Sequence, residues 1–134
     1  MDIHHHILVS AMIAAILFPF TGWFSLLALV GGVLVDVDHY IWFITNKKDF
    51  SLVHAYKFMK HEYTGDSYMT LVFHNIEFWV ICITCAIFWP LYWPFVFGLK
   101  AHMIMDLYMF FKYRKTHPQP VAYSLVKKYF VDKI

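Results

Sequence analysis

Four apolar stretches, residues 7–24, 25–44, 67–89 and 94–111, dominate this chain. Each is near the ~20 residues that carry an α-helix across a bilayer. In hydrocarbon the backbone must satisfy its own hydrogen bonds, and a helix does so within a single segment. The expected fold is therefore all-α: an integral membrane bundle of about four helices arranged as two hairpins. Composition points the same way, because a chain that is 60% hydrophobic, 21% aromatic and 15% charged has too little polar surface to coat a soluble globule. At 134 residues it suits a single domain, residues 1–134. A soluble enzyme is not expected, a disordered chain is excluded, and a net charge of +2 without a basic stripe leaves no nucleic-acid binding to expect.

The breaks between the stretches are chemically apt. Thr21-Gly22 closes the first pair, and Trp89-Pro90-Leu91-Tyr92-Trp93-Pro94 closes the second. Residues 45–66 form the one long polar connection, where Leu52, Val53, Tyr56 and Met59 fall at helical spacing and suggest a short interfacial helix. A basic tail, residues 112–134, follows. Lys47, Lys48, Lys57 and Lys60 in the connection, and Lys112, Arg114, Lys115, Lys127, Lys128 and Lys133 in the tail, place both regions on the cytoplasmic side. Trp23, Trp89, Tyr92 and Trp93 mark the opposite interface. A multi-pass protein of the cell (inner) membrane with both termini cytoplasmic is expected. The N-terminal Met1-Asp2-Ile3-His4-His5-His6 lacks the Lys or Arg of a cleavable signal, so the first apolar segment is expected to stay. Cys82 and Cys85 read as small apolar residues rather than as half of a zinc site, and His54, His61 and His117 as solvated surface residues.

Ionisable side chains inside the apolar stretches are the exception that calls for a function, since each costs several kcal/mol in hydrocarbon unless paired, solvated or bound to a metal. The second stretch ends in Asp36-Val37-Asp38-His39, the third carries His74-Asn75-Ile76-Glu77, and the fourth carries His102 and Asp106. Counted from the cytoplasmic ends at ~1.5 Å per residue, Asp36, His39, His74, Glu77, His102 and Asp106 share one layer roughly 7–14 Å deep. The N-terminal histidines enter near the same edge, with His5 or His6 as the contributor and His5 entered among the candidate ligands. Asp36 with His39, His74 with Glu77, and His102 with Asp106 are three or four residues apart and would share a helix face. Helical bundles assemble imidazole and carboxylate metal ligands in this way. A proton relay would instead spread such groups across the full thickness. Asp38 lies ~200° around an ideal helix from Asp36, so it joins only if the helix is broken there, or it orients a ligating histidine. Lys100, deeper than Asp106, either neutralises a carboxylate, meets a phosphate oxygen or snorkels outward.

With these residues in place, the chain resembles the family of small prokaryotic membrane-bound metal-dependent hydrolases, whose mark is a Gly-rich helix ending in D-x-D-H and a later H-x-x-x-D. Gly31-Gly32-Val33-Leu34-Val35-Asp36-Val37-Asp38-His39 and His102 to Asp106 carry the likeness. The family's middle motif commonly reads H-R-x-x-T-H-S. This chain has Phe73-His74-Asn75-Ile76-Glu77 instead, so only His74 carries over and the substrate is left open. There is a fainter likeness to zinc-dependent phospholipase C and to single-strand nucleases. The resemblance implies hydrolysis.

The expected activity is metal-dependent cleavage of a phosphoester in a lipid or lipid-linked substrate reached from the cytoplasmic leaflet, so membrane lipid is the expected partner. Asp36, His39, His74, His102 and Asp106 are the expected ligands, for Zn²⁺ or Mn²⁺. Glu77 is the candidate base and Asp38 the candidate catalytic or orienting carboxylate. The alternative is a non-enzymatic membrane metal-binding or ion-handling protein, or a small subunit of a membrane complex. A di-iron site is disfavoured, because its paired Glu-x-x-His elements are missing.

Overall fold

The computed structural model describes residues 3–62 and 71–113, and every regular element among them is helical. Helix α1 is Ile3–Thr21. A 3₁₀ turn, Gly22–Leu26, reverses the chain into α2, Leu27–Val33. Gly22 makes that reversal with φ +54°, a left-handed conformation that glycine adopts without a Cβ penalty. A second 3₁₀ turn, Leu34–Asp36, leads to α3, Val37–Lys47. Then come α4, Leu52–Lys57, a π-helical turn Phe58–Glu62, α5, Ile76–Phe88, a 3₁₀ turn Pro90–Tyr92, and α6, Trp93–Tyr113.

The elements depart from the expected boundaries where local chemistry intervenes. The first stretch begins at Ile3 and ends at Thr21 rather than spanning 7–24. The second, expected as one helix over 25–44, breaks at Leu34–Asp36 and continues to Lys47. Gly31-Gly32 followed by Val33, Val35 and Val37 is weak helix-forming sequence, so tertiary contacts decide its path. Of the third, expected over 67–89, residues 71–75 are not helical, and the helix runs from Ile76 to Phe88. Asn75, extended at φ −91° and ψ 151°, stands at the N-cap, but its side chain turns back to donate to the Leu71 carbonyl instead of capping the helix. The fourth runs Trp93–Tyr113 instead of 94–111. Residues 63–70, which held the end of the expected interfacial segment and the start of the third helix, and the tail from 114 onward lie outside the described residues.

Small residues set the packing. Gly31, Gly32 and Ala28 of α2 are buried against Gly98 and Leu99 of α6. A Cβ added at Gly31 would run into the Phe95 carbonyl, and one at Gly98 into the Ala28 carbonyl. The α1 stripe His6, Ser10, Ala14, spaced by four, is buried, with Ser10 seated over Gly32. Around this contact Val35, Cys82, Ala86, Phe95, Val96 and Leu99 form the core. A smaller cluster of Leu71 with Trp42, Phe58 and Met59 anchors the segment before α5.

The outside is apolar. Phe20, Ile16, Val80, Ile81, Ile87, Ile104 and Leu107 are among many large hydrophobic side chains left exposed. One helical run, Ile3–Lys47, is long and apolar enough to cross a membrane, and Ile76–Phe88 is a shorter apolar helix. In the connection, Asp49 accepts from Ser51 N–H at 2.8 Å and from the His54 ring at 2.7 Å. These donors, the backbone one foremost, hold its carboxyl below the usual range.

The glycine contact makes a signed prediction. Helix propensity alone would have Gly31→Ala or Gly98→Ala stabilise by about 1 kcal/mol. The backbone atoms facing each missing Cβ reverse that sign, and a loss of about 1–3 kcal/mol is expected, as for other overpacked sites. Thermal unfolding in detergent micelles checks it, with exposed Val30→Ala as the near-neutral control.

Candidate metal centre

α6 is helical through both His102 and Asp106, so their i,i+4 spacing places Nε2 and Oδ2 3.0 Å apart. The other members arrive from irregular backbone. Asp36 closes the 3₁₀ turn before α3, and His74 lies in the turn before α5. His102 Nε2 is 3.1 Å from His74 Nε2 and 3.4 Å from Asp36 Oδ1. His74 Nε2 is 3.5 Å from Asp106 Oδ2 and 3.9 Å from Asp36 Oδ1. All four ligand atoms lie within 4.8 Å of one another.

Hydrogen bonds behind the rings dictate which nitrogen faces inward. His102 Nδ1–H donates to the Gly32 carbonyl at 3.0 Å, and a carbonyl can only accept. That carbonyl is open to a side chain because it sits at the end of α2, where the helix gives way to the 3₁₀ turn. His74 Nδ1–H donates to Asp38 Oδ2 at 3.0 Å, and the same oxygen accepts from Phe73 N–H at 3.1 Å. Both rings therefore turn Nε2 toward each other and toward two carboxylates, and in their neutral form they would present two lone pairs there. Two imidazole nitrogens and two carboxylates converge, and either ring protons or a bound cation can supply the positive charge that the carboxylates call for.

The donor set fits a divalent metal. Ligands about 2.0–2.1 Å from a tetrahedral zinc ion sit about 3.3–3.4 Å from one another; the five separations that involve a histidine, 3.0–3.9 Å, bracket that edge, and the two carboxylates lie within 4.8 Å of each other. His74 and His102 are buried, whereas the side chains of Asp36 and Asp106 are 29% and 31% exposed, so an ion can enter on the carboxylate side. Outer partners that lock imidazole ligands, here Asp38 and the Gly32 carbonyl, are a regular feature of protein metal sites.

Several expected members lie elsewhere. His5 is exposed on α1, and His6 takes the place expected of it: buried, stacked on the His102 ring at 4.1 Å, with Nε2 3.5 Å from Asp106 Oδ1. The phase of α1, visible in Ser10 and Ala14, turns His6 inward and carries His5 about 100° away. His39 lies beside the four rather than among them, in a second group with Asp38 and His74. Asp38 is buried behind His74, a position opened by the break before α3. Glu77 stands outside both groups, half-buried in the first turn of α5. His74 precedes that helix, so the i,i+3 rule that paired the two does not apply. Lys100 is exposed beside an apolar groove between α1 and α6, lined by Ile13, Ile16, Leu17, Phe97 and Ile104. Cys82 is buried and Cys85 exposed, so they do not face a common ligand. His54 is exposed as expected; the side chain of His61, and His117, fall outside the description. The Gly32 carbonyl and the Phe73 amide, which carry no side-chain signature, are the contributors that sequence reasoning misses.

Comparison of the chain with protein-family profiles, curated proteins and solved structures finds no match.

Protein purified without chelator should retain divalent metal, and His102→Ala combined with Asp106→Ala should release most of it, as read by elemental analysis. Asp38→Asn leaves all four ligands in place but weakens the hold on His74, so metal affinity should fall roughly 10–100-fold. His5→Ala should leave affinity unchanged, in contrast to His6→Ala.

Proposed function

We propose that this chain is a multi-pass membrane protein that binds a divalent metal at Asp36, His74, His102 and Asp106, and hydrolyses a phosphoester of a lipid or lipid-linked substrate. The observation that carries the metal is the pair of inward-facing Nε2 atoms, 3.1 Å apart, flanked by two carboxylates. The likeness to membrane-bound metal-dependent hydrolases, through Asp36-Val37-Asp38-His39 and His102 to Asp106, supports hydrolysis. Zn²⁺ and Mn²⁺ suit imidazole and carboxylate donors.

The large hydrophobic side chains exposed around α1, α5 and α6 support a bilayer-spanning arrangement in which the site lies in the cytoplasmic half. Lys47, Lys48, Lys57 and Lys60 orient the connection toward the cytoplasm. Partly exposed Asp36 and Asp106 leave one side of the site open, as access for a lipid headgroup would require.

The chemistry that a divalent ion supplies at such a site is neutralisation of a phosphoester oxygen and acidification of water. The chain's own residues hold the geometry. Asp38 fixes the His74 tautomer, the Gly32 carbonyl fixes that of His102, and the His6 ring covers His102. His6 Nε2, 3.5 Å from Asp106 Oδ1, is placed to share a proton with that carboxylate.

A second reading is a non-enzymatic metal-binding protein. It is favoured by one observation, since four protein ligands are enough to close a tetrahedral ion, as in structural sites. Activity separates the two. Under the hydrolase reading, metal-loaded protein in mixed micelles cleaves members of a panel of lipid phosphates and phosphodiesters, and Asp106→Asn falls to background. If no phosphoester is cleaved with Zn²⁺ or Mn²⁺ bound, the non-enzymatic reading stands. Orientation has its own test: with Cys82 and Cys85 replaced by Ala, a cysteine at Ser51 should react with a membrane-impermeant maleimide in inside-out vesicles and not in intact cells.

A further inference from the structure

We propose a second cation position beside the first, held by Asp38 and His39, with Asp36 as the carboxylate shared between the two. It rests on the metal reading above and extends it to a two-ion site.

Asp38 is the informative residue. It is 5% exposed, and its Oδ2 is fully engaged by the Phe73 amide and the His74 ring. Its Oδ1 is buried and makes no hydrogen bond. A buried carboxylate oxygen without an aligned donor is costly, so the position calls for positive charge, from a metal ion or from the His39 ring beside it. Oδ1 faces His39 Nδ1 at 3.1 Å, and that nitrogen is likewise buried without an aligned hydrogen bond. Asp36 Oδ1 lies 3.4 Å from the same nitrogen. Separations of 3.1 and 3.4 Å match the edges of the first group and are compatible with ligands around one small ion.

His74 lies close enough to join, but it is already used: Nδ1–H goes to Asp38 and Nε2 faces the first group. That leaves three protein ligands at the second position, Asp36, Asp38 and His39. Asp36 Oδ1 reaches both His102 Nε2 and His39 Nδ1 at 3.4 Å, which is the placement of a bridging carboxylate. His39 is partly exposed, its side chain at 28%, so this position opens outward. Three protein ligands leave room for water or substrate oxygen, the arrangement of catalytic rather than closed sites. The two-ion arrangement therefore supplies the open coordination that the first group, with four protein ligands, lacks.

Metal-free full-length protein in detergent is titrated with Mn²⁺, with bound ion counted by equilibrium dialysis and electron paramagnetic resonance recorded on the saturated sample. Two Mn²⁺ per chain with an exchange-coupled spectrum are expected. His39→Ala and His39→Gln should each bind one Mn²⁺ and give an uncoupled six-line spectrum. Saturation of the wild-type protein at one uncoupled ion overturns the second position and leaves the first intact. So does retention of two ions by both His39 variants. Binding of none overturns the metal reading itself. The wild-type count and coupling decide even if the variants fail to fold.

Discussion

The close approach of α2 and α6 at Gly31, Ala28 and Gly98 is the constraint on which the rest depends. Under the proposed membrane reading, apolar side chains gain nothing by leaving one apolar medium for another, so helix association would rely on fit, and fit is tightest where Cβ atoms are missing. Here the backbones meet so closely that the carbonyls of Ala28 and Phe95 occupy the space side chains would fill. One turn further along, the same approach brings the Gly32 carbonyl within 3.0 Å of His102 Nδ1. Packing thereby selects a tautomer, and the tautomer selects what the site can bind.

Electrostatics follow from that selection. A lone histidine in a bundle can satisfy itself with one neighbour. Two histidines held from behind by Gly32 and Asp38 cannot turn their Nε2 atoms away from each other. Asp36 and Asp106 then add negative charge to an already electron-rich point. Such a cluster is stable only with positive charge inside it, and the separations suit an ion with short bonds to nitrogen and oxygen. Breaking the helix at Leu34–Asp36 serves the same end. A continuous helix would send Asp36 and Asp38 to opposite sides, whereas the break allows Asp36 to face His102 while Asp38 supports His74.

How much of this was legible in the sequence depends on whether a residue sits in regular helix. His102 and Asp106 could be paired by spacing because α6 is uninterrupted between them. His74 could be singled out as an ionisable group in an apolar stretch, but its pairing with Glu77 assumed a helix that begins only at Ile76. The choice between His5 and His6 needed the phase of α1, which the small polar stripe through Ser10 and Ala14 carries. The helix break before α3 was not legible, since Gly31-Gly32 reads equally as a packing surface and as a weak point. The locking acceptor on Gly32 is backbone, which no residue-type pattern reveals.

The central claim is that Asp36, His74, His102 and Asp106 surround one metal ion through nitrogen and oxygen atoms. X-ray absorption at the zinc edge, on protein loaded with one Zn²⁺ per chain, tests it most directly. The account predicts about four nitrogen or oxygen neighbours at about 2.0–2.1 Å, with the outer-shell scattering of imidazole rings and no sulfur neighbour near 2.3 Å. Loss of that imidazole scattering in His102→Ala would trace it to the site. A spectrum of hydrated zinc without imidazole scattering, or one with sulfur from Cys82 or Cys85, would contradict it.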